Sequence, residues 1–466
     1  MQPQISPSKT SYKVAVIGAG AAGLVAAREL RIEDHQVVVF ERNNRIGGVW
    51  VYDPTIESDP LGVDPSRTIV HSSLYDSLRT NLPREAMGFR DYPFVVKDVL
   101  QRDPRRFPCH REVLHYLEDF TSEFKLSELI RFETEVIHVE LLKEEAEGKW
   151  IVRSQGKNKN VEDEVYDAVV VCNGHNTKPC VAEIPGIDVW PGKQLHSHNY
   201  RVSDPFSNKV VVLIGSSASA VDISREIARV AKEVHISSRS VTNKFLTTNH
   251  FHFDYLWLHS MVKSAHEDGS VVFEDGSSVT ADFILHCTGY TYDFPFLDSC
   301  SIVNVDDNRV GPLYKHVFPP QFAPWISFIG IPWKVVPFPL YELQSKWVAR
   351  ILSGKVSLPS QENMISDMEA FYSKFEAAGG PKRYTHNIVD YQFKYYDLVA
   401  AQCGVPLSEE WRNQMLFSTG MRMVAQPETY RDEWEDQILI LQAHEDFAQY
   451  IPQADIPKTT TTDGCK

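Results

Sequence analysis

A chain of 466 residues, 43% hydrophobic and 23% charged, is long for one core and of ordinary length for two. Lys+Arg 47 against Asp+Glu 62 leaves a net charge of −15, which argues against the basic footprint of a nucleic-acid binder. Seven scattered cysteines form no C-x-x-C pair, which disfavours a disulfide framework, a zinc knuckle or a dithiol centre and fits a reducing, cytoplasmic setting.

The first residues, MQPQISPSKTSYK, contain no apolar stretch of the kind that drives export. Residues 13–17 (KVAVI) then read as a buried parallel strand. A glycine turn comes next: Gly18, Ala19, Gly20, Ala21, Ala22 and Gly23 keep the G-x-G-x-x-G frame. Gly18 allows the tight bend, Gly20 lets a pyrophosphate approach the backbone, and Gly23 lets the next helix pack on the strand. The helix over 24–30 points its positive end at the phosphates. A second strand, QVVVF, ends at Glu41, 23 residues after Gly18, where a carboxylate accepts from ribose hydroxyls. Gly47, Gly48 and Trp50 make a further turn just behind the acid, with Gly48 and Trp50 expected along the same dinucleotide.

The pattern recurs once. A strand at 209–214 (KVVVLI) feeds Gly215, Ser216, Ser217, Ala218, Ser219 and Ala220, with Ala220 in place of the third glycine. The helix expected over 219–234 buries Val221, Ile223, Ile227, Val230 and Ala231. The next strand carries no acid. It ends in Ser237, Ser238 and Arg239, the last 24 residues after Gly215. An arginine there pairs with a 2′-phosphate, so this turn should prefer NADP(H) to NAD(H), unless Arg239 is an ordinary solvated side chain. Two such turns suit a protein that passes a hydride between two dinucleotides.

Apolar strands at 166–175 and 281–290 return the chain between the units. The expected fold is therefore α/β, with two Rossmann-like dinucleotide-binding domains, the second (177–290) inserted into the first (1–176 and 291–466). Residues 329–352 read as a strand, a proline-broken loop and a helix whose N-terminus covers the cofactor ring. The aromatic stretch 243–263 either walls a substrate pocket or packs the domain interface, and residues 455–466 read as a frayed, disordered tail. No apolar run approaches the roughly 18 residues of a membrane span, so no transmembrane anchor is expected. Cys172 and Cys287, on buried strands, read as core fillers. No G-x-S-x-G elbow or H-E-x-x-H site occurs, the histidines are dispersed, and no metal site is expected.

Between the two turns lies VWPGKQLHSHNYR, in which Trp190, Gly192, His196 and Tyr200 match F-x-G-x-x-x-H-x-x-x-Y with Trp for Phe. With the two turns, the segment LRTNLPREAMGFRDYPF and the strand end CTGY, the chain resembles the flavin-containing monooxygenases over nearly its whole length, in the plant glucosinolate S-oxygenase-like branch. Tyr200 sets it apart from the Baeyer–Villiger branch, which usually has Trp or Pro there. The resemblance implies FAD on the first turn and NADPH on the second. It implies reduced flavin capturing O₂ as a C4a-hydroperoxide, and attack on it by a soft nucleophile, sulfur or nitrogen. The implied substrate is a thioether or amine, foremost a methylthioalkyl glucosinolate giving the methylsulfinylalkyl form. The alternatives are an indole keto acid of the auxin-forming relatives, or a flavoprotein reductase that does not oxygenate. The resemblance also sets Asn81 beside the flavin and the nicotinamide amide as a catalytic residue, whereas its residue type alone also suits a turn ahead of Leu82-Pro83. His196 reads as structural.

Overall fold

The two predicted glycine turns each grow out of a strand buried on both faces. The computed structural model describes residues 11–97, 101–142, 148–239, 256–297 and 302–452. β1 (Lys13–Ile17), α1 (Ala21–Ile32) and β2 (Gln36–Phe40) open the first unit. A long excursion holding α2 (Arg84–Met87) and α3 (His110–Glu123) leads to β3 (Ile130–Arg131). An antiparallel meander comes next, β4 (Thr134–Leu141), β5 (Trp150–Gly156) and β6 (Val161–Tyr166), and then β7 (Ala168–Val171).

The chain crosses through β8 (Lys178–Pro179) into β9 (Lys193–His196), β10 (Val210–Ile214), α4 (Ala218–Ala228), β11 (Glu233–Ser237) and β12 (Leu256–His259). A second meander, β13 (Val262–Ala265), β14 (Ser270–Phe273) and β15 (Ser278–Thr280), precedes β16 (Phe283–His286). β17 (Tyr290–Thr291) returns antiparallel to β8, so the outgoing and incoming crossovers form one ribbon. The hairpin β18 (Asn304–Asp306) and β19 (Arg309–Gly311) leads to β20 (Ile326–Phe328). Helices α5 (Pro337–Leu352), α6 (Gln361–Ala377), α7 (Gln392–Cys403), α8 (Glu410–Ala425) and α9 (Gln437–Phe447) complete the described chain.

The first sheet runs β20-β7-β1-β2-β3 and the second β9-β16-β10-β11-β12, all parallel. In this order the two sheets correspond strand for strand, and each has an antiparallel meander inserted before its second strand. The alternation of side chains across a strand explains the layering. Val14 and Val16 face α1 and α5, whereas Ala15 and Ile17 face the β4–β6 meander through Val139 and Trp150. In the second sheet Val211 and Leu213 meet α4, and Val212 and Ile214 meet the β13–β15 meander through Val271 and Phe273. Covered on both faces, the central strands need apolar residues at every position, which is why they appear as continuous runs. The fold is thus α/β with two Rossmann-like cores.

Some boundaries differ from the sequence expectation. α4 stops at Ala228 instead of reaching 234. Asn208 N donates to Val230 O and Lys232 N to Lys209 O, so 230–232 are drawn into pairing that launches β11. The strands expected over 166–175 and 281–290 shorten to β7 and β16, and the strand expected within 329–352 lies just before it, as β20. Of the aromatic stretch, 243–255 lies outside the described residues and 256–259 is the edge strand β12; the tail at 455–466 also lies outside them. Among the described residues no helix is long and apolar enough to cross a membrane.

Burial pushes the imidazoles of His196 and His316 down to about 3 and that of His286 to about 4, from an ordinary 6.5. The unfolded chain takes up these protons and the fold does not, so this stability is complete above pH 6.5 and is lost as pH falls toward 3. Urea unfolding at about pH 7, 6 and 5 should show the unfolding free energy falling below pH 6, by up to about 1.4 kcal/mol per pH unit for each such histidine. A flat profile over that range would contradict it.

Candidate functional site

The first turn is set by backbone crowding. Gly18 has φ +102°, and a Cβ there would lie 2.6 Å from the carbonyl oxygen of Cys172 at the end of β7. A Cβ on Gly23 would fall 1.8 Å from Gly18 O, so α1 can lie on β1 only without one. Gly20 is different. Its Cβ would meet only Gly48, with Cα at 3.6 Å, and Gly48 itself has φ +56°. The two glycine turns therefore face each other, joined by Gly47 N donating to Ala19 O at 3.0 Å. The first helical bond of α1 is Leu24 N to Gly20 O, which leaves the amides of residues 20–23 without an intrahelical partner. A strip of bare backbone fringed by N–H groups is a fitting seat for a pyrophosphate.

Glu41 closes this seat. Its Oε2 accepts from Ala19 N and its Oε1 from Asn43 N, each at 2.8 Å, with the residue 5% exposed. The carboxylate thus ties the end of β2 to the glycine turn, and each oxygen keeps a second lone pair for a hydroxyl. Trp50, in a short 3₁₀ turn at Gly48–Trp50, stands edge-on to Phe338 at the N-terminus of α5, with centroids 6.3 Å apart.

The second turn repeats the geometry. Gly215 has φ +117°, and its Cβ would lie 2.4 Å from Cys287 O after β16. Gly215 N donates to Ser237 O at 2.9 Å, as Gly18 N donates to Phe40 O at 2.8 Å. Ser217, Ala218 and Ser219 run along the rim, where Ala218 and Ser219 are exposed, and Ala220 is fully buried. The end of β11 departs from that of β2. Instead of an acid bonding the turn, Ser238 Oγ donates to Ser216 Oγ at 2.8 Å. Arg239 is exposed, with Nη1 donating to Tyr384 Oη at 2.6 Å. Burial raises both flanking thiols, Cys287 to about 12, so Cys172 and Cys287 behave as core.

The linker fingerprint makes packing and hydrogen-bond contacts within the chain. The Trp190 ring lies over Gly192, where a Cβ would come within 2.2 Å of it, and Trp190 Nε1 donates to Gly269 O in the second meander. His196 is fully buried; its Nδ1 accepts from His198 N at 3.0 Å, so its Nε2 carries the proton and donates to Gly289 O at 3.1 Å. Tyr200 packs edge-on to Tyr75. Sequence reasoning missed the loop that this linker holds: His198 Nε2 donates to Val70 O, Asn199 Nδ2 to Pro60 O, and Arg201 to Asp53 O and Ser72 O. The polar types H-x-H-N-Y-R were visible, but nothing local named their partners.

Asn81 lies apart from both turns in sequence, and the fold brings it beside the second unit. Tyr75 Oη donates to Asp222 Oδ2 at 3.3 Å and Ser77 Oγ to Glu226 Oε2 at 2.6 Å, so residues 75–77 lie against α4, and residues 78–80 then pair with 108–110. The Asn81 side chain is exposed and makes no hydrogen bond within the described chain. Elsewhere Glu29, Asp91 and Glu342 stand close enough to share an ion, but Arg28 and Lys346 already sit among them.

The sequence model of the flavin-binding monooxygenase-like family matches residues 11–257 and 248–408. The flavin-containing monooxygenase FMO GS-OX-like 3 of Arabidopsis thaliana is 59% identical over 452 residues, 97% of this chain and all of that protein. FMO GS-OX5 of the same plant is 57% identical, over 95% of this chain and 96% of its own. The structure of S-allyl-L-cysteine S-oxygenase from Allium sativum superposes with TM-score 0.91 at 59% identity, covering 94% of this chain and 99% of that one.

The isosteric change Glu41→Gln keeps an acceptor for one of the two backbone amides and points a donor at the other. A buried N–H left unsatisfied costs about 1–3 kcal/mol. Chemical denaturation should show a loss of that size, and an unchanged midpoint would show that the carboxylate does not hold the turn.

Proposed function

The chain belongs to the family of flavin-binding monooxygenases, and from that premise we propose that it transfers one oxygen atom of O₂ to the sulfur of a thioether, with FAD on the first glycine turn and NADPH on the second. Gly18, Ala19, Gly20, Ala21, Ala22, Gly23, Glu41, Gly48 and Trp50 hold FAD; Gly215, Ser216, Ser217, Ala218, Ser219, Ala220 and Arg239 hold NADPH. Residues 177–290 are then the NADPH domain, set within an FAD domain of 1–176 and 291–466. The observation that carries this is the difference between two otherwise matching strand ends. Glu41 offers acceptors to ribose hydroxyls, and Arg239 offers an exposed cation to a 2′-phosphate.

When bound, the flavin supplies the oxygen-activating chemistry and the nicotinamide its hydride. The protein's own task is placement and dryness. The Asn81 amide can donate a hydrogen bond without releasing a proton, which suits a site where stray protons are harmful. The linker's polar staples hold the 53–72 loop closed over the crossover.

The S-oxygenase from garlic and the GS-OX relatives support sulfur as the acceptor. We take a methylthioalkyl glucosinolate as the substrate. An S-alkenyl cysteine is the second reading, because the garlic enzyme and FMO GS-OX-like 3 are equally identical to this chain. Product analysis with NADPH and O₂ decides, offering a methylthioalkyl glucosinolate, S-allyl-L-cysteine and an indole keto acid separately. The expected result is sulfoxide from the glucosinolate; NADPH consumption without sulfoxide from any thioether would overturn the reading.

Cofactor choice gives a separate test. Arg239→Ser should raise the KM for NADPH by about tenfold or more, the scale of a charge-assisted hydrogen bond, and leave that for NADH nearly unchanged. Equal effects on both would make Arg239 a partner of Tyr384 and nothing more.

A further inference from the structure

The connection between α8 and α9, beyond the segment the family model matches, leaves the first unit to touch α4 of the second and returns. Arg431, within it, spreads its guanidinium over two elements. Nη1 and Nη2 take the two oxygens of Asp222 on α4, at 3.2 and 2.6 Å. Nε donates to the carbonyl of Thr80 at 3.0 Å, one residue before Asn81. Asp222 also accepts from Tyr75 Oη, so the same carboxylate holds both ends of the 75–81 segment.

The brace is anchored on either side. Arg225 of α4 donates to Pro427 O at 3.0 Å. Arg79 donates through Nε to Phe107 O and through Nη1 to Asp432 Oδ2. Tyr430, 3% exposed, stands edge-on to Phe107 at 5.7 Å. Only a planar fork with an extra Nε donor serves Asp222 and Thr80 together; a lysine supplies one point charge. The Asn81 side chain, in contrast, is exposed and makes no hydrogen bond among the described residues, so the brace fixes the place of its backbone.

We propose that Arg431 is a positioning residue: by bridging Asp222 and the Thr80 carbonyl it fixes Asn81 against α4, the helix that carries the second glycine turn. This rests on Asn81 acting in the reaction. It makes the C-terminal connection a part of the reaction's geometry and places the coupling of NADPH oxidation to oxygen transfer under its control.

The test compares Arg431→Lys, Arg431→Ala and Asn81→Ser in the FAD-loaded enzyme. Three quantities are read: amide hydrogen exchange across 75–82, hydrogen peroxide released per NADPH oxidised, and the thermal midpoint. Arg431→Lys keeps a charge for Asp222 and gives up the bond to Thr80. It should leave the midpoint close to the parent's, raise exchange at 75–82 by about tenfold or more, and raise the peroxide ratio severalfold. Arg431→Ala should do the same more strongly and lower the midpoint as well. If both Arg431 variants lower the midpoint and leave exchange and the peroxide ratio at parent values, Arg431 is a mere strap and the proposal falls. Asn81→Ser should raise the peroxide ratio without altering exchange at 75–82. If it leaves the ratio at the parent value, the reading of Asn81 falls, while altered exchange in Arg431→Lys still upholds the clamp itself.

Discussion

Two backbone carbonyls, those of Cys172 and Cys287, stand where a side chain on Gly18 or Gly215 would have to go. Each belongs to the strand beside the one that feeds the turn, and each approach is possible only for glycine at a positive φ. The constraint fixes the height of the turn over the sheet. It thereby fixes where the next helix begins and where its unpaired amides point. The third position obeys a second contact, between Gly23 and the carbonyl of Gly18, which settles the distance of α1 from β1. The unpaired amides of the turn are a by-product of tight packing between strand and helix, and the glycine that heads the turn is held in the same way in both units.

From that shared base the units diverge by a few side chains. The five strands correspond in order and each sheet lies between a helical face and a three-stranded meander. At the first strand end, Glu41 bonds the turn itself and is nearly buried. At the second, two serine hydroxyls bond each other and the cationic Arg239 is left at the surface. An inward-facing carboxylate suits neutral hydroxyl groups, and an outward-facing guanidinium suits a dianionic phosphate.

Between the units the adhesive is polar. Of the fingerprint residues, Trp190 Nε1 donates to Gly269 O in the second meander and His196 Nε2 to Gly289 O beside the crossover ribbon, while Tyr200 packs edge-on to Tyr75. His196 stays neutral because burial disfavours its charged form, with His198 and His286 nearby adding to the effect, and this outweighs the opposing bond to the Gly289 carbonyl.

Features written within about twenty-five consecutive residues were legible in the sequence: the apolar runs, the glycine frames, and the acid or arginine that ends each unit. Each answers a local demand, a strand buried on both faces or a turn without room for a Cβ. Helix and strand ends were less legible, since the pairing of 208–209 with 230–232 that shortens α4 depends on another strand's position. It took the folded chain to bring the Glu41 carboxylate onto the turn it succeeds and to lay the segment that leads to Asn81 against α4. The brace through Arg431 was beyond any local reading, because its partners lie 209 and 351 residues away. One arginine among the many in the chain carries no periodicity, and its role appears only when the fold brings Asp222 and Thr80 within reach of the same planar side chain.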